Sequence, residues 1–309
     1  MKRSDNLTIS TSMSIHLAPF NQQRPRLFGI AYRMLGSRAE AEDIVQEAYI
    51  RWSQSDLATI ESVPAWLVTV TSRLSIDRLR VLKQERASYP GPWLPEPVND
   101  IDYSTPETLL EFQHDLSFAL MVVLEALTAE ERAAFLLREV FDQNYADLAK
   151  LLNKTDAACR QLVHRARERV RAQQPRFKVS KADHLRVLQQ FMRAASSGNR
   201  QDILHLLHDD VISTSDGGGK VMSTNRPLHG PQRISWLYYA VARRFGAQLE
   251  WCFAMVNGEA AIARYFESNL HSVMMVQTDG QQVTRIFNVM NPDKLQRLNM
   301  SLLKVTVTK

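Results

Sequence analysis

The sequence predicts a multidomain chain, two all-α modules followed by an α+β module. Three observations predict it. Apolar residues recur at helical spacing through roughly the first half. A proline-rich stretch, ASYPGPWLPEPVNDIDYSTPE, interrupts that half with five prolines and cannot be helical. Around Gln173 to Ser180 the pattern changes, and after one more helix the chain becomes short strand-like runs separated by hairpin-turn signals. A length of 309 residues suits two or three modules, and 45% hydrophobic residues suffice for a core in each.

The elements follow in order. The leading segment MKRSDNLTISTSMSIHLAPF has no continuous apolar run and reads as a flexible tail over 1–20, not a signal peptide. Leu27, Ile30, Ala31 and Met34 have helical spacing, and Gly36 breaks the run. Ser37 with Glu40 is a capping-box start for SRAEAEDIVQEAYIRW. After the loop SQSDLATIESV, Pro64 suits a first turn. PAWLVTVTSRLSIDRLRVLKQER is then a long amphipathic helix with Trp66, Leu67, Val70 and Leu74 as its buried stripe. Past the linker, TLLEFQHDLSFALMVVLEAL is helical. Thr128 and Glu131 form a second capping box. YADLAKLL, the break NKT and DAACRQLVHRARERVR make a helix-turn-helix pattern, with Tyr145, Leu148, Leu152, Cys159, Val163 and Ala166 at core spacing. ADHLRVLQQFMRAASSG is one more helix. QDILHLLHDDV follows, and then come antiparallel strands LEWCFAMV, AAIARYF, HSVMMVQ and QVTRIFNVM, turned by NGEA and TDGQ. The expected modules are 21–88, a linker 89–106, 107–175 and 181–300.

A net charge of +5 and a pI near 9.2 are compatible with a nucleic-acid partner, so the distribution of charge matters more than its sum. The two cysteines, Cys159 and Cys252, lie far apart without zinc-ligand spacing; no metal or cofactor is expected, and a reducing cytoplasm is the natural home. No stretch approaches the apolar length of a membrane span.

Three groups of residues carry chemistry. In the second helix Ile44, Ala48 and Trp52 face the core, which leaves Asp43, Gln46, Glu47 and Arg51 outward. That face suits a basic partner helix, or is simply solvated. The third helix ends in Arg73, Arg78, Arg80, Lys83 and Arg86, fit for phosphates or for compensating the helix dipole. Ser53, Gln54, Ser55 and Asp56 in the loop before it offer polar groups for an unstacked base. The second helix of the helix-turn-helix begins near Thr155 and exposes Asp156, Ala157, Arg160, Gln161 and His164 early, with Arg165 opening a basic tail fit for phosphates. Arg bonds guanine and Gln bonds adenine in the major groove, while Arg167, Arg169 and Arg171 suit phosphates. In the α+β module Asp209, Asp210, Asp216, His229, Glu259 and His271 are candidate polar groups without a convincing pair.

AEDIVQEAYIRW, PAWLVTVTSRLSIDRLR and LTAEERAAFLLREVFDQNYADLAKLLNKTDAACRQLVHRARERVR resemble the sigma-70 family of RNA polymerase sigma factors. They look like its polymerase-binding helix, its minus-ten-recognising helix and its minus-thirty-five helix-turn-helix. The short span between the modules resembles the extracytoplasmic-function (ECF) group. WLPEP (Trp93, Leu94, Pro95, Glu96, Pro97), DGGGK (Asp216, Gly217, Gly218, Gly219, Lys220) and NPDKL (Asn291, Pro292, Asp293, Lys294, Leu295) resemble the marks of its SigJ-like subgroup, fused to a SnoaL-like domain. The resemblance implies two all-α sigma domains, region 2 and region 4, followed by an α+β SnoaL-like cone. It implies core RNA polymerase and promoter DNA as partners, no enzymatic activity, and a regulatory interface made by the three motifs. Trp93, a large apolar group in a proline-held segment, is the expected anchor of the linker, with Asp216, Lys220, Asp293 and Lys294 binding around it through polar contacts. A small-molecule ligand of the C-terminal domain stays open. The alternative is a SnoaL-like enzyme or ligand sensor tethered to DNA by the sigma module.

Overall fold

A computed structural model describes residues 5–99, 117–173 and 179–298. These fall into two compact units, one holding 5–85 and 123–172, the other 86–99, 117–122, 173 and 179–298. The helix expected over TLLEFQHD and the linker from residue 100 to 106 lie outside the described residues.

The first unit is all-α. Helix α1 spans Asp5–Leu35, so the flexible tail expected over 1–20 is corrected: from Asp5 onward it is helix, even across Pro19. Tertiary packing overrides the local signal. Phe20 is buried against Tyr49, and the Trp52 indole donates to the His16 carbonyl at 2.7 Å. Ser37 caps α2 (Arg38–Ser53), whose buried side is Ile44, Ala48 and Trp52, with Ala41 and Val45. In α3 (Val63–Arg86) the buried stripe is Leu67, Val68, Thr71, Ser72, Ser75, Ile76, Leu79 and Leu82. Trp66, Val70 and Leu74 are only half-buried. The expected stripe is therefore rotated. The true face carries small hydroxyl residues, and Ser75 Oγ donates to the Thr71 carbonyl at 2.7 Å, which lets a polar residue sit inside.

Helix α4 (Phe118–Leu124) leads to α5 (Ala129–Phe135), where Thr128 and Glu131 form both bonds of the capping box. A π-helical stretch, Leu136–Val140, precedes α6 (Tyr145–Leu152) and α7 (Asp156–Gln173). The break between the last two is Asn153 at φ 51°. Cys159, Val163 and Ala166 are fully buried, so Cys159 is a core filler.

The second unit is α+β. Helices α8 (Lys181–Ser197) and α9 (Arg200–Leu206) precede strands β1 (Leu207–Asp216) and β2 (Leu228–His229), then helix α10 (Pro231–Phe245). Strands β3 (Leu249–Val256), β4 (Glu259–Phe266), β5 (Asn269–Thr278) and β6 (Val283–Val289) complete a sheet of order β2-β1-β6-β5-β4-β3, and α11 (Pro292–Leu295) follows. QDILHLLHDDV thus divides between α9 and β1, and β1 pairs with β6 in parallel, unlike the antiparallel rest. One sheet face packs Phe253, Ile262, Met274 and Ile286 under Phe191 of α8 and Tyr238 of α10. The other packs Ala261, Ala263, Val273, Phe287 and Val289 with Leu94, Phe118 and Leu295.

Candidate nucleic-acid interface and linker site

In the helix-turn-helix, the Thr155 hydroxyl accepts from the Ala158 amide at 3.2 Å and so starts α7. Ala157, Arg160, Gln161, His164 and Arg165 are exposed, and Asp156 is half-buried. Arg160 lies 3.9 Å from Asp156 and over the Tyr145 ring, which holds its guanidinium against the helix pair. The basic tail is not bare. Glu131 accepts from Arg169 at 2.6 Å and lies 3.6 Å from Arg165, and Glu139 takes Arg167 at 2.6 Å.

On α2, Asp43, Gln46 and Arg51 are exposed and Glu47 is half-buried; Arg51 and Glu47 pair at 2.9 Å. The loop hydroxyls read as candidates for an unstacked base turn back on their own backbone. Ser53 donates to the Ile50 carbonyl and Ser55 to that of Trp52, while Asp56 caps the short 3-10 turn Leu57–Thr59.

The arginines of α3 are held within the protein. Arg78 makes a bidentate pair with Glu40, at 2.6 and 2.8 Å, and that hydrogen bonding raises its pKa further. Arg73 donates to the carbonyls of Lys150 and Leu151 at the C-terminus of α6. Arg80 reaches Glu130 at 3.1 Å, and Lys83 bonds the carbonyls of Leu127 and Glu125. Buried Arg132 donates to the Arg33 carbonyl at 2.9 Å. In this state the basic side of α3 grips the helix-turn-helix module, so phosphate binding there has to displace these partners.

In the second unit the linker lies on the sheet domain. Leu94 is 1% exposed, Pro95, Glu96, Pro97 and Val98 are also buried, and Trp93 is half-buried. The Asp216 carboxylate, itself fully buried, gathers four donors: Tyr89 hydroxyl at 2.6 Å, Leu94 amide at 2.8 Å, Gly218 amide at 3.0 Å and Lys294 Nζ at 2.7 Å. Lys294 also bonds the Leu94 carbonyl and lies 4.1 Å from the Trp93 ring centroid, while Arg86 stacks on that ring at 3.5 Å. Asn291 donates to Tyr89 at 2.8 Å and caps α11, where Pro292 occupies the first turn and Leu295 enters the core. Gly217 accepts from the Lys220 amide at 3.0 Å. Gly218 and Gly219 stand at φ 62° and 70°. A Cβ on Gly218 would meet Asn291 at 2.3 Å, and one on Gly219 would meet Pro90 at 2.7 Å. Two expectations are corrected. The deepest linker anchor is Leu94, not Trp93, because the segment turns its leucine to the sheet and leaves the indole between two cations. Lys220 and Asp293 do not bind around Trp93 but pair with each other at 2.5–2.7 Å, joining the two loops.

Residues 20–85 match the family described as Sigma-70 region 2, and residues 117–170 match Sigma-70, region 4. The ECF RNA polymerase sigma factor SigJ of Mycobacterium tuberculosis is 36% identical over 293 residues, covering 91% of this chain and 93% of SigJ. The chain belongs to the ECF RNA polymerase sigma factors. The probable ECF sigma factor SigI of the same organism is 28% identical over 92% of this chain and 96% of its own. The crystal structure of SigJ aligns with a TM-score of 0.72 at 33% identity, over 90% of this chain and 97% of SigJ.

As a sigma factor, the protein binds RNA polymerase and acts in transcription initiation. Sequence reasoning missed three members of the linker site. Tyr89 and Arg86 flank WLPEP. Asn257, in the β3–β4 turn, clamps Val98 from both sides: its amide donates to the Val98 carbonyl at 2.7 Å and its Oδ1 accepts from the Val98 amide at 3.2 Å. Only Asn257 had a signal, since Asn-Gly marks the turn. The six polar candidates of this sigma factor's sheet domain do not converge. Asp209, Asp210 and His229 are exposed, Asp216 holds the linker, and Glu259 and His271 lie near the starts of two antiparallel strands, so at opposite ends of the β4–β5 pair. Burial raises the pKa of Glu259 and lowers that of His271. Among the described residues no helix is long and apolar enough to cross a membrane, and no cluster is arranged to hold a metal.

Proposed function

We propose that this sigma factor directs promoter-specific initiation, with its C-terminal domain acting as a built-in regulator through the linker. The observation that carries the regulatory part is the buried Asp216 carboxylate. It grips Tyr89 and Leu94, in the segment that follows α3 and precedes α4 in the chain. A gripped connector limits the separations that regions 2 and 4 adopt, and so whether both promoter elements are reached together. Arg160, Gln161 and His164 are the base-reading positions of α7, with Thr155, Asp156 and Arg165 beside them. Arg73 and Arg80 meet DNA once polymerase draws region 4 away from α3, and Arg78 meets it once phosphates replace Glu40 of α2. Asp43, Gln46, Glu47 and Arg51 form the polymerase-facing side of α2.

Transcription in vitro with purified core polymerase tests this. Asp43→Lys with Glu47→Lys is expected to weaken core binding with the helical fold intact. Asp216→Asn is expected to leave core binding unchanged and alter promoter-dependent transcript yield. Unchanged yield from Asp216→Asn, with the linker shown to be released, removes the regulatory role. The polar candidates of the sheet domain are scattered, so no observation carries the enzymatic reading.

A further inference from the structure

The helices α8, α9 and α10 of the C-terminal domain carry seven arginines and lysines against two acids, Asp183 and Asp202. Asp183 is engaged by Arg186 at 3.3 Å and by the Ser180 hydroxyl, and Asp202 forms no ion pair among the described residues. Arg193, Arg233, Arg243 and Arg244 are exposed, and among the described residues their guanidinium groups have no hydrogen-bond or ion-pair partner. In the first unit, by contrast, Arg78, Arg80, Arg167 and Arg169 each hold a carboxylate. A cluster of like charges left unbalanced by its own domain is an electrostatic footprint for an anionic partner.

The outer side of α10 describes that partner. Ile234, Ser235 and Tyr238 bury its inner side, so Arg233, Trp236, Ala240, Arg243 and Arg244 share the outer one, at helical spacing. Trp236 is 55% exposed, a costly place for a large apolar ring that has nothing to cover it. The Tyr239 ring lies 5.0 Å from it, and Arg200 of α9 lies over the indole at 5.4 Å, fixed by Gln232 at 3.1 Å. Gly198 allows this. It ends α8 at φ 70°, and a Cβ there would meet Cβ of Ala242 at 2.7 Å, so only glycine lets α9 start this close to α10. Arg233 and Arg243 stand on either side of the aromatic pair, about 15 Å apart along the helix.

We propose that the outer face of α10, with Arg200 of α9, binds single-stranded DNA, a base stacking on Trp236 and phosphates taking Arg233, Arg243 and Arg244. Arginine forks match phosphates, and an aromatic set between them is a platform for an unstacked base. An acidic protein surface would satisfy the arginines and leave the indole without a flat partner. A duplex keeps its bases stacked inside and meets the indole with sugars and phosphates. A melted strand supplies both chemistries, and transcription initiation opens the DNA on which a sigma factor acts. The contact is additional to those of regions 2 and 4 and belongs to the domain that holds the linker.

The test uses the full chain and an oligothymidylate carrying iododeoxyuridine, photocrosslinked and mapped by mass spectrometry, with fluorescence anisotropy for affinity. Crosslinks within Pro231–Phe245 are expected, and Trp236→Ala is expected to weaken the binding that they report about tenfold. Arg233→Gln with Arg243→Gln is expected to lower the slope of log affinity against log salt by about 1.4. All three side chains are exposed, and melting temperature verifies that each variant folds. Crosslinks confined to regions 2 and 4 overturn the proposal, as does an α10 crosslink unchanged in Trp236→Ala and in the double arginine variant. Equal loss of the α10 crosslink to competing duplex or to polyglutamate also overturns it, and reassigns the face to duplex DNA or to an acidic protein. No outcome depends on a promoter or on polymerase, so the linker reading stands or falls separately.

Discussion

The seam between regions 2 and 4 in the first unit and the seam between linker and sheet in the second are held by opposite means. The Arg73 and Arg80 contacts of the first are solvent-exposed. Arg80 pairs with Glu130 at side-chain exposures of 53% and 35%, and Arg73 reaches helix-end carbonyls from an exposed position. Arg132 is its buried exception, and even there Nη2 has no partner. The second seam is sealed: Lys294 and Asp216 are 11% and 0% exposed, and Leu94 and Val98 join the apolar contact. Exposed pairs contribute about 0–1 kcal/mol and exchange readily for phosphates or polymerase. A buried, fully hydrogen-bonded carboxylate does not release its partners without a large cost. The chain therefore combines one contact suited to opening with one suited to holding.

The largest expected effect attacks the sealed seam. Asp216→Ala leaves Lys294 buried without its acid and frees Tyr89 and the Leu94 amide, so a loss of about 3–5 kcal/mol is expected in denaturant unfolding of the C-terminal domain. Proteolysis near Trp93 should rise with it. A melting curve that matches the native chain would mean that the seam is not held as described.

Leu94→Ala comes next, at about 2–4 kcal/mol for a buried leucine in a close-packed site. Combined with Lys294→Met it should be non-additive by about 0.5–3 kcal/mol, because both groups hold the same peptide. Strict additivity in that double-mutant cycle would separate the apolar and ionic parts of the linker site into independent contacts.

The smallest effects belong to the exposed seam. Arg73→Ala and Arg80→Ala should each change unfolding stability by no more than about 1 kcal/mol. Salt should matter more. Raising ionic strength from about 0.1 to 1 M shortens the screening length from roughly 10 to 3 Å. Fluorescence energy transfer between labels on α3 and α6 should then fall while the linker stays protected from protease. Release of both seams together, or of neither, would erase the distinction between them.

Local patterns carried much of this molecule. Capping at Ser37 and the box of Thr128 with Glu131, the break at Asn153 and the Asn-Gly turn at Asn257 were all legible. Each depends on residues within a few positions of one another. Helix α10 has its start signal in Gly230-Pro231, a proline in the first turn. The three motifs WLPEP, DGGGK and NPDKL marked the linker site, though not which residue anchors it. What only the tertiary structure decided joins distant positions: α1 extended over the expected tail by Trp52, Arg78 taken by Glu40, β1 laid parallel to β6, and Val98 clamped by Asn257. Helical and strand periodicity reports which face of an element is apolar. Which polar group ends up opposite which is settled when those faces close and every buried donor and acceptor must find a partner, often far along the chain.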